Sequence, residues 1–435
     1  MSLAQTAVIP GLESFEERTY AKVIWRIIPL LFVCYVVAYL DRVNVGFAKL
    51  QMLHDLKFSE TVFGLGAGMF FVGYCLFEVP TNLLLYRIGA RKVMTRIMVT
   101  WGVISCLTMF VTTATEFYVI RFLLGIAEAG FFPGIILYLS QWFPAERRGR
   151  VTALFMTALP MSGVIGSPAS GWILQNFAGV NGWAGWQWLF LLEGLPTVLI
   201  GIVVWFYLDD NIESAKWLSA DEKRLLRNEI RRDNAQTPDH SFGQAVRSSK
   251  VWILGLMYFG VVTGLYGISF WLPTLIKATG VSGALDIGLL SAIPYVVATV
   301  SMVLVGRSAD RQRERRWHFM VPAVLGGLGL VLSAIFANNT VFAIAALTLA
   351  AAGVISSLPL FWTFPPAFLG GAAAAGGIAL IGALGNVGGF VSPYAVGFMK
   401  DLTHSTDGGM YLLAGCVFMS AIVAFLAMSA RVVNR

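Results

Sequence analysis

Charge is the scarcest feature of this 435-residue chain: only 13% of its residues are Asp, Glu, Lys or Arg, and 4 are histidine. Soluble domains carry roughly 25% charged residues, so a water-soluble globule is excluded. Cysteine is nearly as rare. The 4 present, Cys34, Cys75, Cys106 and Cys416, fall in apolar stretches without metal-ligand spacing, so they read as small core hydrophobes, and neither a disulfide framework nor a metal or other cofactor is expected. The histidines, His54, His240, His318 and His404, stand far apart in polar segments. With no HExxH helix, no GxSxG elbow and no Walker-type phosphate loop, the usual chemistry of intramembrane proteolysis, lipid hydrolysis and ATP-driven pumping is missing, and the chain does not read as an enzyme. Glu13, Glu16 and Glu17 stand where a secretory leader would be basic, so no cleavable signal peptide is expected.

What is abundant is apolar sequence, 57% of the chain. Runs long enough to cross a ~30 Å hydrocarbon core as helices fall at about 24–46, 61–85, 93–112, 117–139, 151–176 and 187–207, and again at 251–275, 285–306, 319–337, 341–364, 375–398 and 409–430. The expected fold is an all-α membrane protein with twelve transmembrane helices in two six-helix halves: 1–207, then a cytoplasmic linker with a short helix at 208–250, then 251–435. Ser219 and Glu222 have capping-box spacing ahead of KRLLRNEIRR, which starts that short helix. YRIGARK (86–92) and DRQRERR (310–316), each after the second span of a half, align at an offset of 224 residues as one basic turn used twice.

Net charge is +7, yet the bases lie in short loops, with no aromatic-interleaved stripe for nucleic acid. Placed on alternate sides of the twelve spans, 24 Lys and Arg fall with the termini and the linker, whereas Lys49, Lys57, Lys277 and Lys400 fall on the other side. That asymmetry puts both termini in the cytoplasm of a multi-pass protein of the cell (inner) membrane.

Few ionisable residues interrupt the spans: Asp41 and Arg42 in the first, Glu78 in the second, Arg121 and Glu128 in the fourth, Glu193 in the sixth. Each costs at least ~2.5–3.5 kcal/mol near the bilayer centre, so each needs a partner or a watery cavity. Arg121 and Glu128, seven residues apart, share a helix face and are offset by about 10 Å in depth. Opposite Asp41 and Arg42, they are expected to complete a buried four-charge network. Glu78, beside Val79-Pro80, reads as a structural partner for helix ends or the basic turn, and Glu193 reads equally well as structural or functional. Tyr74 and Asn386, midway along their spans, are pocket candidates, with Trp362 near the end of the tenth a weaker one. Gly64, Gly66, Gly68, Gly163, Gly166, Gly385, Gly388 and Gly389 read as close helix contacts, and Pro29, Pro133, Pro160, Pro294 and Pro359 as kinks.

YLDRVN (39–44), FEVPTNLLL (77–85), RFLLGIAEAGFFPG (121–134), WFPAERRGR (142–150), GWQWLFLLEG (185–194) and GRSADRQRERRWH (306–318) together resemble the major facilitator superfamily, specifically its anion:cation symporter family of phthalate, tartrate, hydroxyphenylacetate and hexuronate permeases. The resemblance implies that Arg42 binds a substrate carboxylate, that Asp41 and Glu128 take up protons, and that Arg121 acts on Glu128 at the substrate site. Tyr74, Trp362 and Asn386 would line the pocket. Two departures matter: Tyr86 replaces the usual acid of the first basic turn, leaving a gate role to Asp310, and Gly382 and Leu159 stand where sugar-acid carriers place polar groups. Polar sites discriminate sharply by hydroxyl pairing, so an aromatic or short hydroxy acid is expected rather than a hexonate or hexuronate. The expected function is proton-coupled symport of a small organic carboxylate by a monomer embedded in membrane lipid. A sugar-acid symporter, a sodium-coupled or anion-exchange carrier and, from another class, a membrane-embedded enzyme are the alternatives.

Overall fold

The computed structural model describes residues 10–235, 247–365 and 372–429, and all regular structure among them is helical. His240, Arg431 and Arg435 lie outside the described residues. Twelve spans emerge. They are built from α1 (Pro10–Leu56), α2 (Glu60–Ile88), α3 (Ala90–Leu107), α4 (Ala114–Glu128), α5 (Phe131–Ser140), α6 (Ala145–Met156), α7 (Ala158–Asn176) and α8 (Gly185–Tyr207). After the linker helix α9 (Ala220–Ala235) come α10 (Ser249–Ala278), α11 (Ala284–Gln312), α12 (Arg316–Ile335), α13 (Thr340–Phe361), α14 (Ala372–Thr403) and α15 (Asp407–Ala427).

Two spans are broken rather than merely kinked. The fourth divides into α4 and α5 at Gly130, which takes φ 83°; without a Cβ, glycine adopts this left-handed conformation freely. Glu128 is therefore the last residue of the helix that carries Arg121, two residues before the break. The fifth divides at Thr157, three residues before Pro160, which has no N–H to donate to the preceding turn.

The linker helix starts as its residues dictate: Glu222 N–H donates to Ser219 Oγ at 3.2 Å, and Ser219 N–H donates to Glu222 Oε2 at 2.7 Å. Lys22 of α1 pairs with the same carboxylate at 2.9 Å, and Arg148 pairs with Asp233 at 3.0 Å, so the linker lies against the first six spans. The basic turns share a positive φ at equivalent positions, Gly89 (φ 94°) and Arg313 (φ 51°), 224 residues apart, although ψ differs, 156° against 37°. Tyr86 supplies no acid to the first turn, but Asp210, just past the sixth span, accepts the Arg91 N–H at 2.9 Å.

The first and last six spans meet where small residues remove side-chain bulk. A Cβ on Gly64 of α2 would lie 2.3 Å from the Pro393 carbonyl oxygen of α14, and one on Gly171 of α7 would lie 2.4 Å from that of Ala284 in α11. Lipid is as apolar as leucine, so close backbone packing replaces the hydrophobic effect here.

At the face opposite the linker, Lys49 and Lys400 leave their expected loop positions. α1 continues beyond the expected boundary near 46 to Leu56, which makes Lys49 a helical residue, and it is only 3% exposed. Glu60 pairs with Lys49 at 2.6 Å and with Lys400 at 2.6 Å, while Asp401 accepts the backbone N–H groups of Glu60 and Thr61 at 3.1 and 2.7 Å. The Lys49 ammonium also sits 3.2 Å from the Trp271 ring centroid. Breaking a buried pair from one side costs about 3–5 kcal/mol, because a charge is left behind. Glu60→Gln is thus expected to lower the thermal unfolding midpoint, and adding Lys49→Met should restore part of the loss; a double variant no more stable than Glu60→Gln would refute the clamp.

Candidate functional site

Asp41 and Arg42 are adjacent on α1, and neighbours on a helix point about 100° apart. The structure sends them to different partners. Arg42, 8% exposed, makes a close ion pair through Nη2 with Glu128 Oε1, and its Nη1 donates to the Tyr266 hydroxyl at 2.5 Å. Its guanidinium carbon lies 5.0–5.8 Å from the ring centroids of Phe70, Tyr39, Tyr74 and Tyr266. Such a cage offers cation–π attraction in place of water. Arg42 Nε has no hydrogen-bond partner.

Asp41, 1% exposed, faces away. Its carboxylate accepts from Ser105 Oγ at 2.9 Å and Thr197 Oγ1 at 2.8 Å, with Asn44 Nδ2 at 3.4 Å. The expected four-charge network is therefore corrected to one ion pair and one hydroxyl-cradled carboxylate. Arg121 bonds neither acid: its Nε and Nη2 are buried without hydrogen-bond partners, and its guanidinium carbon lies 5.3 Å from the Phe70 centroid. Two guanidinium groups thus flank one ring while only Glu128 pairs with either directly.

Nearer the linker face, Tyr258 of α10 stacks on Phe361 at 4.7 Å and meets Trp362 edge-on at 4.9 Å. Gly385 admits this arrangement, since a Cβ there would lie 2.1 Å from the Tyr258 ring. Asn386 Nδ2 donates to Glu78 Oε2 at 3.4 Å, joining α14 to α2. Glu78 therefore has a partner across the bundle; the helix-end and basic-turn contacts expected for it are replaced by this one. Glu193 accepts from Ser170 Oγ at 2.6 Å. Leu159 is buried in α7.

Sequence reasoning did not single out Tyr39, Tyr258, Tyr266, Ser105 or Thr197. A lone aromatic or hydroxyl in an apolar run carries no periodic or charge signal, and only its neighbours in space give it a role.

A bundle of twelve spans enclosing charged side chains defines a polytopic membrane protein. The chain belongs to the Major Facilitator Superfamily, whose sequence pattern matches residues 31–393. It is 48% identical over 432 residues to NicT of Pseudomonas putida, a proposed metabolite transport protein, covering 99% of both chains. It is 49% identical over 413 residues to a proposed tartrate transporter of Agrobacterium vitis, covering 94% of this chain and 95% of that one. The solved structure of the Escherichia coli xylose transporter XylE, partially occluded and inward-open, superposes with a TM-score of 0.75 at 14% identity over 93% of this chain and 98% of that one. That likeness is one of fold.

Proposed function

We propose that the protein is a proton-coupled symporter that imports a small organic carboxylate, an aromatic or short hydroxy acid, by alternating access. The observation that carries this reading is the Arg42–Glu128 pair beneath the Tyr266 hydroxyl. One guanidinium is held by a carboxylate of the same protein, and a substrate carboxylate would compete for it. Protonating Glu128 would release Arg42 for a two-hydrogen-bond grip on the substrate, and the loaded cavity could then close without an excess buried charge. Asp41, held by Ser105 and Thr197, is the second proton site in this reading. Arg121 supplies standing positive charge, while Tyr74, Trp362 and Asn386 line the remainder of the cavity. The relatives named for metabolite and tartrate transport support an organic anion as cargo.

In the same reading, 1–207 and 251–435 are two six-helix halves that rock about the central site, joined by the cytoplasmic linker 208–250. The protein works as a monomer in the cell (inner) membrane with both termini cytoplasmic. The test is uptake into proteoliposomes of 4-hydroxybenzoate and tartrate under an imposed pH or sodium gradient. Accumulation should follow an inward proton gradient and be indifferent to sodium; accumulation that needs sodium, or only counter-anion on the far side, would reject proton coupling. Galactonate and glucuronate should fail to compete at equal concentration, because Leu159 and Gly382 offer their hydroxyls no side-chain hydrogen bonds.

A further inference from the structure

We propose that Glu78 Oε1, together with the space left open at Gly382, forms a specificity pocket that reads a hydrogen-bond donor on the substrate at the end remote from its carboxylate. This inference rests on the carboxylate reading above and adds what the other end of the substrate must carry.

Four observations converge. Glu78 is only 8% exposed, yet its two oxygens are treated differently: Oε2 accepts from Asn386, and Oε1 has no hydrogen-bond partner among the described residues. Gly382 lies directly across from that free oxygen. A Cβ built on it would meet a single atom within 4 Å, Glu78 Oε1 at 3.8 Å, so the space beside the oxygen is open. This sets Gly382 apart from Gly385, one turn on, whose missing Cβ is occupied by the Tyr258 ring. Glu78 also lies one helical turn from Tyr74, on the same face of α2. Tyr74 borders the Arg42 guanidinium, 5.6 Å from ring centroid to carbon, so about 6 Å of helix rise separates the carboxylate-binding end from the free acceptor. The Tyr258, Phe361 and Trp362 cluster flanks the region with apolar ring faces.

An unpartnered acceptor beside open space selects by what the ligand brings: a ligand that fills the space without a donor displaces water from the oxygen and leaves it unpaired, which costs more than a neutral mismatch. The favoured cargo therefore carries a carboxylate at one end and a hydroxyl or N–H at the other. The acceptor survives in Glu78→Gln, whose side-chain carbonyl can still take the bond, but is lost in Glu78→Leu.

The experiment measures equilibrium binding to the purified full-length protein for two matched pairs, 4-hydroxybenzoate with benzoate and 4-hydroxybutyrate with butyrate. The wild type should favour the hydroxylated member of at least one pair by roughly tenfold to a hundredfold. Glu78→Leu should bring that ratio close to one while leaving benzoate or butyrate binding in place, and Glu78→Gln should keep most of the preference. Gly382→Val, which fills the space beside the acid and leaves the carboxylate itself in place, should also reduce it, and gives a second reading should Glu78→Leu fail to fold. An unchanged ratio in both Glu78→Leu and Gly382→Val, or no hydroxyl preference in the wild type, overturns the inference and leaves the carboxylate reading standing. Failure of all four acids to bind the wild type overturns both.

Discussion

Uptake by Arg42→Lys is expected to fall by roughly 100-fold although the positive charge is kept. The guanidinium makes two separate engagements from one planar group, Nη1 to the Tyr266 hydroxyl and Nη2 to Glu128, within a cage of four rings. An ammonium is a compact point charge on a flexible stem and cannot reproduce that fork. Each lost hydrogen bond to a charged group is worth about 1.5–3 kcal/mol, and about 1.4 kcal/mol is a factor of ten. Lysine also leaves Tyr266, which comes from α10, with only the 3.4 Å contact to the Tyr39 hydroxyl as its hydrogen-bond link to α1, so communication between the first and last six spans should weaken with affinity. The check is initial-rate uptake beside a thermal-unfolding control. Wild-type uptake by a well-folded Arg42→Lys protein would remove Arg42 from the substrate site.

Glu128→Gln should separate coupling from binding. Glutamine has the shape of the protonated acid and cannot titrate, so Arg42 stays available to an incoming carboxylate at every pH. Exchange of substrate between the two sides of a proteoliposome needs no net proton cycle and should persist. Accumulation driven by a pH gradient should disappear, because the proton whose binding frees Arg42 for the substrate is no longer carried. The break at Gly130 bears on this assignment: it makes Glu128 the last residue of α4, where the helix dipole disfavours an anion and only Arg42 compensates. Protonation therefore competes with one identifiable ion pair. Full proton-driven accumulation by Glu128→Gln would move the coupling site elsewhere, with Asp41 next in line because its carboxylate is satisfied by neutral hydroxyls and Asn44.

Much of the architecture was legible in the residues because the bilayer imposes a length and a charge penalty that sequence records directly. All twelve spans, the Ser219–Glu222 cap and the paired basic turns lie where local pattern put them. The site was legible only as an inventory. Asp41, Arg42, Arg121 and Glu128 announce themselves because charge in hydrocarbon is costly, but their pairing is a matter of rotation. Adjacent residues on α1 meet different partners, and of Arg121 and Glu128, seven residues apart on one helix, only Glu128 meets Arg42.

Lys49 carries the same lesson at the far face. Sequence counted it as a loop base, whereas one more stretch of α1 buries it between Glu60 and the Trp271 ring. What the sequence by itself determined is the number and approximate position of the spans, together with the short set of residues too polar to be there without a reason, since these follow from the transfer of single side chains and helices into lipid. Which acid meets which base, which rings cage Arg42, and why one oxygen of Glu78 is left facing open space were decided only by the tertiary structure. They depend on approaches between segments some 86 to 308 residues apart, and no local pattern encodes the distance at which two such segments pass.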